Sequence, residues 1–140
     1  MARDERIEGL RRVPLFSHCS QKQLEFIVTR VEELDFPEGR TLCQQGKSGG
    51  DFFIILDGAA EVSHDGRRIR ELTPGDFFGE IALVDNGPRT ATVRAATALR
   101  CLVLGPAQFR DVLHQDVTIA VSILQAMAAR LRATGDLHAD

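Results

Sequence analysis

Between positions 31 and 104 the apolar residues fall in short runs and period-two alternations, cut every few positions by glycine, proline or aspartate. This texture predicts strands near 31–36, 40–44, 52–56, 59–64, 67–72, 77–79, 91–96 and 99–104, with glycines 39, 46, 49, 50, 58, 66, 75 and 87 between them. Asp65-Gly66, set between Val62 and Ile69, signals a hairpin, because a two-residue turn needs positive φ at both positions. Phe52-Phe53-Ile54-Ile55-Leu56 is apolar throughout and reads as a buried strand. Alternation turns Val62 and Leu72 inward.

On either side of this region the period is helical. Residues 3–12 carry Ile7 and Leu10 among charges, a short amphipathic helix broken at Val13-Pro14-Leu15-Phe16. Ser20 and Gln23 fit a capping box, followed by Leu24, Ile27, Val28 and Val31 at helical spacing. Gly105-Pro106 ends the strands, and 106–114 suits a helix with Phe109, Val112 and Leu113 inward. Asp116 N-caps a longer helix along which Val117, Ala120, Val121, Leu124, Met127, Ala128 and Leu131 form an apolar stripe. Arg130 and Arg132 near its end suit the helix dipole, and 134–140 reads as a frayed tail.

Many short strands with regular turns indicate a mainly β fold with flanking helices: an eight-stranded jelly-roll barrel, whose closure removes exposed edges. A length of 140 residues suits one domain. It divides into an N-terminal helical part (1–30), a β-roll (31–104), two C-terminal helices (105–133) and a tail (134–140).

The chemistry concentrates in Phe77-Phe78-Gly79-Glu80-Ile81-Ala82-Leu83-Val84-Asp85-Asn86-Gly87-Pro88-Arg89-Thr90-Ala91-Thr92-Val93. A strand breaks at Gly79, a helical turn follows, and the first amides of that turn have no preceding turn to accept them. Free amides at a helix start attract anions. Arg89 is the only cation between Glu71 and Val93, and its rigid fork of donors suits a phosphate. Glu80 is an acceptor-only carboxylate, which suits a sugar hydroxyl. An anion site, a hydroxyl site and an apolar wall together describe a small phosphorylated nucleoside. The alternative is a strand–turn–strand in which Glu80 and Arg89 only pair with each other.

The ordered string Phe78-Gly79-Glu80-Ile81-Ala82-Leu83, then Pro88-Arg89-Thr90-Ala91-Thr92-Val93, resembles the phosphate-binding cassette of the cyclic nucleotide-binding domain family. The resemblance implies that Arg89 grips a cyclic phosphate with main-chain amides of Ile81, Ala82 and Ala91, and that Glu80, beside Gly79, accepts from the ribose 2′-hydroxyl. It places Val62, Leu72 and Phe78 around the base, although plain core is an equal reading of Val62 and Leu72. Met127 and Arg130 on the last helix are further base contacts under the same analogy. Thr90 stands where a hydroxyl residue accompanies cyclic GMP (cGMP) in that family and a small apolar one cyclic AMP (cAMP). The ligand is therefore cAMP or cGMP, with cAMP favoured on family frequency alone. The last helix is read as a lid over the base, as a homodimer seam, or as simple packing on the barrel.

The remaining composition narrows the function. A net charge of −3 and a pI near 5.8 argue against a nucleic-acid surface on this chain. Cys19, Cys43 and Cys101 share no metal-ligand spacing and read as reduced thiols of a cytoplasmic protein, and the four histidines lack a ligand-spaced partner. No metal, no cofactor and no catalytic constellation is expected, so the expectation is not an enzyme. MARDERIEGL lacks the apolar region of a secretory signal, and no window reaches the ~18 apolar residues of a membrane span. Three readings result: a sensor that acts on a regulated effector protein or domain; the sensor half of a cyclic AMP receptor-type transcription regulator without its DNA-binding part; and an interaction module of the same fold without a ligand.

Overall fold

The computed structural model describes residues 3–80, 82–85 and 87–134. By its contacts the chain forms two compact units, Val31–Phe109 and the pair Met1–Arg30 with Arg110–Asp140.

The first unit is the β-roll. Eight strands run β1 (Glu32–Phe36), β2 (Thr41–Cys43), β3 (Phe52–Asp57), β4 (Ala60–His64), β5 (Arg67–Leu72), β6 (Phe77–Phe78), β7 (Thr92–Ala95) and β8 (Leu99–Leu104). They form two four-stranded antiparallel sheets, in the orders β1-β8-β3-β6 and β2-β7-β4-β5. Both sheets contribute to one core: Phe53, Ile55, Cys101 and Phe78 from the first meet Val62, Leu72 and Val93 from the second. Phe53 stacks on Phe78, centroids 4.7 Å apart, and meets Phe36 edge-on at 6.1 Å. On the other face of β3, Phe52 packs edge-on against Phe77. The Phe52–Ile55 run is buried on both faces, as its lack of alternation requires. The expected jelly roll is thus the observed fold, and no strand limit differs from the sequence reading by more than one residue.

Local chemistry sets the turns. Asp65 and Gly66 adopt φ of 53° and 77°, the two-residue turn expected from their identity. Gly79, at φ 88°, ends β6 and turns the chain into the single helical turn α3 (Ala82–Asp85).

The second unit is helical. In α1 (Arg3–Arg11) the buried residues are Ile7 and Leu10, and a 3-10 turn spans Pro14–Phe16. Helix α2 (Gln21–Val28) opens on the full capping box: Ser20 Oγ accepts from Gln23 N, and Gln23 Oε1 from Ser20 N. Ser17 follows the 3-10 turn and does not cap a helix start. Its hydroxyl donates backwards to the Pro14 carbonyl at 2.8 Å, closing the end of the 3-10 turn. Helix α4 (Pro106–Gln115) contains the boundary between the units, and α5 (Val117–Thr134) is capped by Asp116, whose Oδ1 accepts from Thr118 N. Gln23 ties α2 to α5 by donating to Thr118 Oγ1 and accepting from Ser122 Oγ.

The face that α5 buries is not the stripe read from the sequence. Ile119, Ser122, Ile123 and Ala126 are buried, and α5 packs on the Pro14–Phe16 turn. Val117, Val121, Leu124 and Leu131 are exposed, from 45% to 68%. The helix is apolar on two faces, so periodicity alone could not say which one packs.

Candidate functional site

Arg89 is held from three sides within the β-roll. Its N–H donates to the Lys47 carbonyl at 2.9 Å, and its carbonyl accepts from Gly46 N at 2.8 Å. Ser48 bridges Pro88, and Gln45 N donates to Thr92 Oγ1 at 3.0 Å, so the segment 45–48 clasps both flanks of Arg89. The guanidinium then reaches across to donate from Nη2 to the Asp51 carbonyl, 2.7 Å away.

Glycines make that reach sterically open. A Cβ on Gly49 would lie 3.3 Å from Arg89 Nε, and one on Gly79 only 2.8 Å from Nη1. The Asp51 carbonyl is an uncharged acceptor, and no ion pair to Arg89 is found among the described residues. Beside the Gly79 turn the guanidinium thus keeps N–H donors that an anion could engage.

The rest of the cassette is carried by that turn and by the strand after Arg89. Glu80 is half-buried, and its carbonyl accepts from Leu83 N at 3.2 Å, starting α3. Ala82 is buried. Asp85 Oδ1 accepts from Gly87 N at 2.9 Å, a local bond that shapes the return to Pro88. Thr90 is exposed, and its carbonyl accepts from His64 Nδ1 at 2.8 Å. Ala91, half-buried, packs on the core cluster that includes Val62, Leu72 and Phe78.

Those three apolar residues are 5%, 3% and 8% exposed, closed in the sandwich core. A cavity of about 230 Å³ opens instead on the β2–β3 side of Arg89, where Cys43, Lys47, Gly49, Gly50 and Asp51 are among its lining. Val62, Leu72 and Phe78 do not line it. Ile81 and the side chain of Arg130 lie outside the described residues. Met127 is half-buried on α5 in the helical unit. Among the described residues no group of three or more His, Cys, Asp or Glu is arranged for a metal ion.

Three buried thiols complete the picture. Burial, with a smaller contribution from Asp116, pushes Cys19 up to about 11, and burial pushes Cys101 up to about 12. Cys43 is also raised by burial, against a lowering effect of the nearby Arg89. All three stay protonated and packed.

Sequence reading missed the 45–51 clasp and the Asp51 carbonyl. The signal available was Gly46 with Gly49-Gly50, a cluster that marks close backbone approach.

Residues 33–116 match the family described as cyclic nucleotide-binding domain. The chain belongs to the cyclic nucleotide-binding domain family. Among relatives of this family, a CRP-like cAMP-activated global transcriptional regulator of Mycobacterium tuberculosis is 28% identical over 138 residues, 95% of this chain and 62% of its own length. A cAMP-dependent protein kinase regulatory subunit of Mycosarcoma maydis is 41% identical over 90 residues, 61% of this chain and 17% of its own length. The chain therefore spans less than two thirds of either relative. Among solved structures, the N-terminal domain of a transcriptional regulator from Streptomyces coelicolor A3(2) superposes with a TM-score of 0.81 at 33% identity, covering 94% of this chain and 98% of that domain. A cyclic nucleotide-binding-like protein from Brucella abortus gives 0.73 at 29% identity, covering 79% and 99%.

Proposed function

We propose that this cyclic nucleotide-binding domain is a cytoplasmic sensor that binds cAMP or cGMP through its cassette and passes the occupancy to the helical unit. The observation that carries this is Arg89: a guanidinium pinned by its backbone, laid against Gly79, and, among the described residues, hydrogen-bonded only to a neutral carbonyl. In this reading the phosphate takes donors from Arg89 and from the amides of Ile81, Ala82 and Ala91. Glu80, next to Gly79, accepts from the ribose, and Thr90 lies beside the phosphate. The family analogy gives the base the wall of the β-roll that includes Val62, Leu72 and Phe78, which are buried in the core here. Nothing in this scheme breaks a covalent bond, so the role is regulatory rather than catalytic.

Transmission requires that the ligand prefer one arrangement of the helices over another, since only differential affinity moves such an equilibrium. The exposed residues Val117, Val121, Leu124 and Leu131, with Ala128, recur in alternating four- and three-residue steps. That spacing is a two-helix seam and supports a homodimer along α5. The likeness to a transcriptional regulator and to a kinase regulatory subunit supports an effector domain or protein as the output.

A thermal-shift titration with cAMP and cGMP tests the sensor reading. Ligand at a hundred times its Kd stabilises a folded site by about 2.7 kcal/mol, several degrees in a domain of this size. No shift with either nucleotide at millimolar concentration would remove the proposal.

A further inference from the structure

The tip of the β4–β5 hairpin is tied to the cassette by side chains that the proposed binding scheme does not use. The β4–β7 ladder ends at the pair Ser63 and Thr92. Just before Thr92, Thr90 and Ala91 belong to no strand. There His64, the last residue of β4, donates from Nδ1 to the Thr90 carbonyl at 2.8 Å. A side chain takes over where the ladder stops.

The imidazole is itself held. His64 Nε2 lies 3.3 Å from Asp65 Oδ2. Asp65 Oδ1 accepts from Gln45 Nε2 at 2.7 Å, and Asp65 N donates back to Gln45 Oε1 at 2.8 Å. Gln45 N donates in turn to Thr92 Oγ1, and Gly46 N to the Arg89 carbonyl. The hairpin tip, the 45–46 segment and the cassette thus share one network in which Arg89, Thr90 and Thr92 are each bonded.

The consequence lies in a single peptide unit. The Thr90 carbonyl and the Ala91 N–H are the two ends of one planar trans amide and point in opposite directions. Rotation of that unit moves both ends together, so the bond that holds the carbonyl also aims the amide. We propose that His64 is a positioning residue of the cassette, which turns the Ala91 N–H toward the phosphate by holding the Thr90 carbonyl; this rests on the cyclic nucleotide reading above. His64 touches no ligand in this scheme. Its contribution is a donor oriented before the ligand arrives, which lowers the ordering cost of binding. The His64 side chain is 52% exposed, and a hydrogen bond open to water is worth only a modest factor in affinity.

The test is calorimetry on the whole chain with cAMP, cGMP and the two phosphorothioate diastereomers of cAMP, in each of which sulfur replaces one exocyclic phosphate oxygen. Wild type, His64→Phe, His64→Asn and Arg89→Ala are compared. His64→Phe keeps a planar ring without donors and should weaken cAMP and cGMP by about threefold to tenfold, with unchanged melting of the unliganded chain. His64→Asn keeps an N–H donor near the place of Nδ1 and should stay within about twofold of wild type. Sulfur is a weak acceptor, so the diastereomer whose sulfur faces Ala91 should be indifferent to His64→Phe, while the other loses as much as cAMP. His64→Phe binding as tightly as wild type overturns the assignment. An equal loss in His64→Phe and His64→Asn does the same, because ring shape rather than the donor would then matter. A His64→Phe chain that melts lower and weakens every ligand alike assigns the bond to stability and also overturns the proposal. If Arg89→Ala abolishes binding while His64→Phe changes nothing, the His64 assignment falls and the pocket stands. If wild type binds none of the four, both fall together.

Discussion

The guanidinium of Arg89 rests against the bare α-carbon of Gly79. A Cβ built on Gly79 would come within 2.8 Å of Nη1 and 2.6 Å of the Asp51 carbonyl oxygen that Arg89 bonds. The same residue holds φ at 88°, where L side chains are strained. One atom would therefore disturb the strand end, the arginine and its acceptor together. Gly79→Ala is expected to destabilise the chain by about 1–3 kcal/mol and to weaken nucleotide binding further. Urea unfolding with and without ligand checks both effects; a variant as stable as wild type would show that the close approach has no energetic weight.

Arg89 itself separates charge from geometry. Charge-assisted hydrogen bonds contribute roughly 1.5–3 kcal/mol, so Arg89→Ala should cost roughly tenfold to over a hundredfold in nucleotide affinity. Arg89→Lys should fall between, because it restores a positive charge without the two-pronged donor. Equal affinities for wild type and Arg89→Ala by calorimetry are incompatible with a phosphate role.

Leu124 is 64% exposed on the unburied face of α5. If that face pairs with a second copy, wild type should sediment as a dimer and Leu124→Glu as a monomer, with unchanged helix content by circular dichroism. A wild type that sediments as a monomer at every concentration would leave the stripe without a partner of this kind.

In the helical unit, Arg30 Nε lies 2.9 Å from Asp111 Oδ2. The Asp111 carboxyl is held below its ordinary 3.8, first by the hydrogen bond from Gln115 and then by that from Arg30. A carboxyl depressed in the folded state adds stability that is complete above 3.8 and is lost as pH falls through the lower folded value. Asp111→Asn should therefore unfold more easily than wild type near neutrality, with the gap closing as pH falls below 3.8 through the lower folded value. Denaturation midpoints across that range test it, and a gap independent of pH would assign the loss to something other than ionisation. The pair is exposed, so the effect is small.

Local rules made much of this molecule readable from its residues. Ser20 with Gln23, Asp65-Gly66 and the strand break at Gly79 each act within three or four positions, and each folds as its chemistry requires. The ordered run from Phe78 to Val93 carried the resemblance to the family for the same reason: its meaning lies in adjacent residues.

What only the tertiary structure decided depends on residues far apart in the chain. Arg89 bonds a carbonyl 38 positions away, and no spacing rule links Arg89 to Asp51. The bulge at Ile69 comes from pairing with β4, and it places Arg70 and Arg68 on opposite faces of a strand that reads as uniformly basic. Helix α5 has two apolar faces, and the choice between them was made by what the Pro14–Phe16 turn covers. A sequence determines which side chains are available; which of them meet is set by register and by packing, and both are properties of the folded pairings.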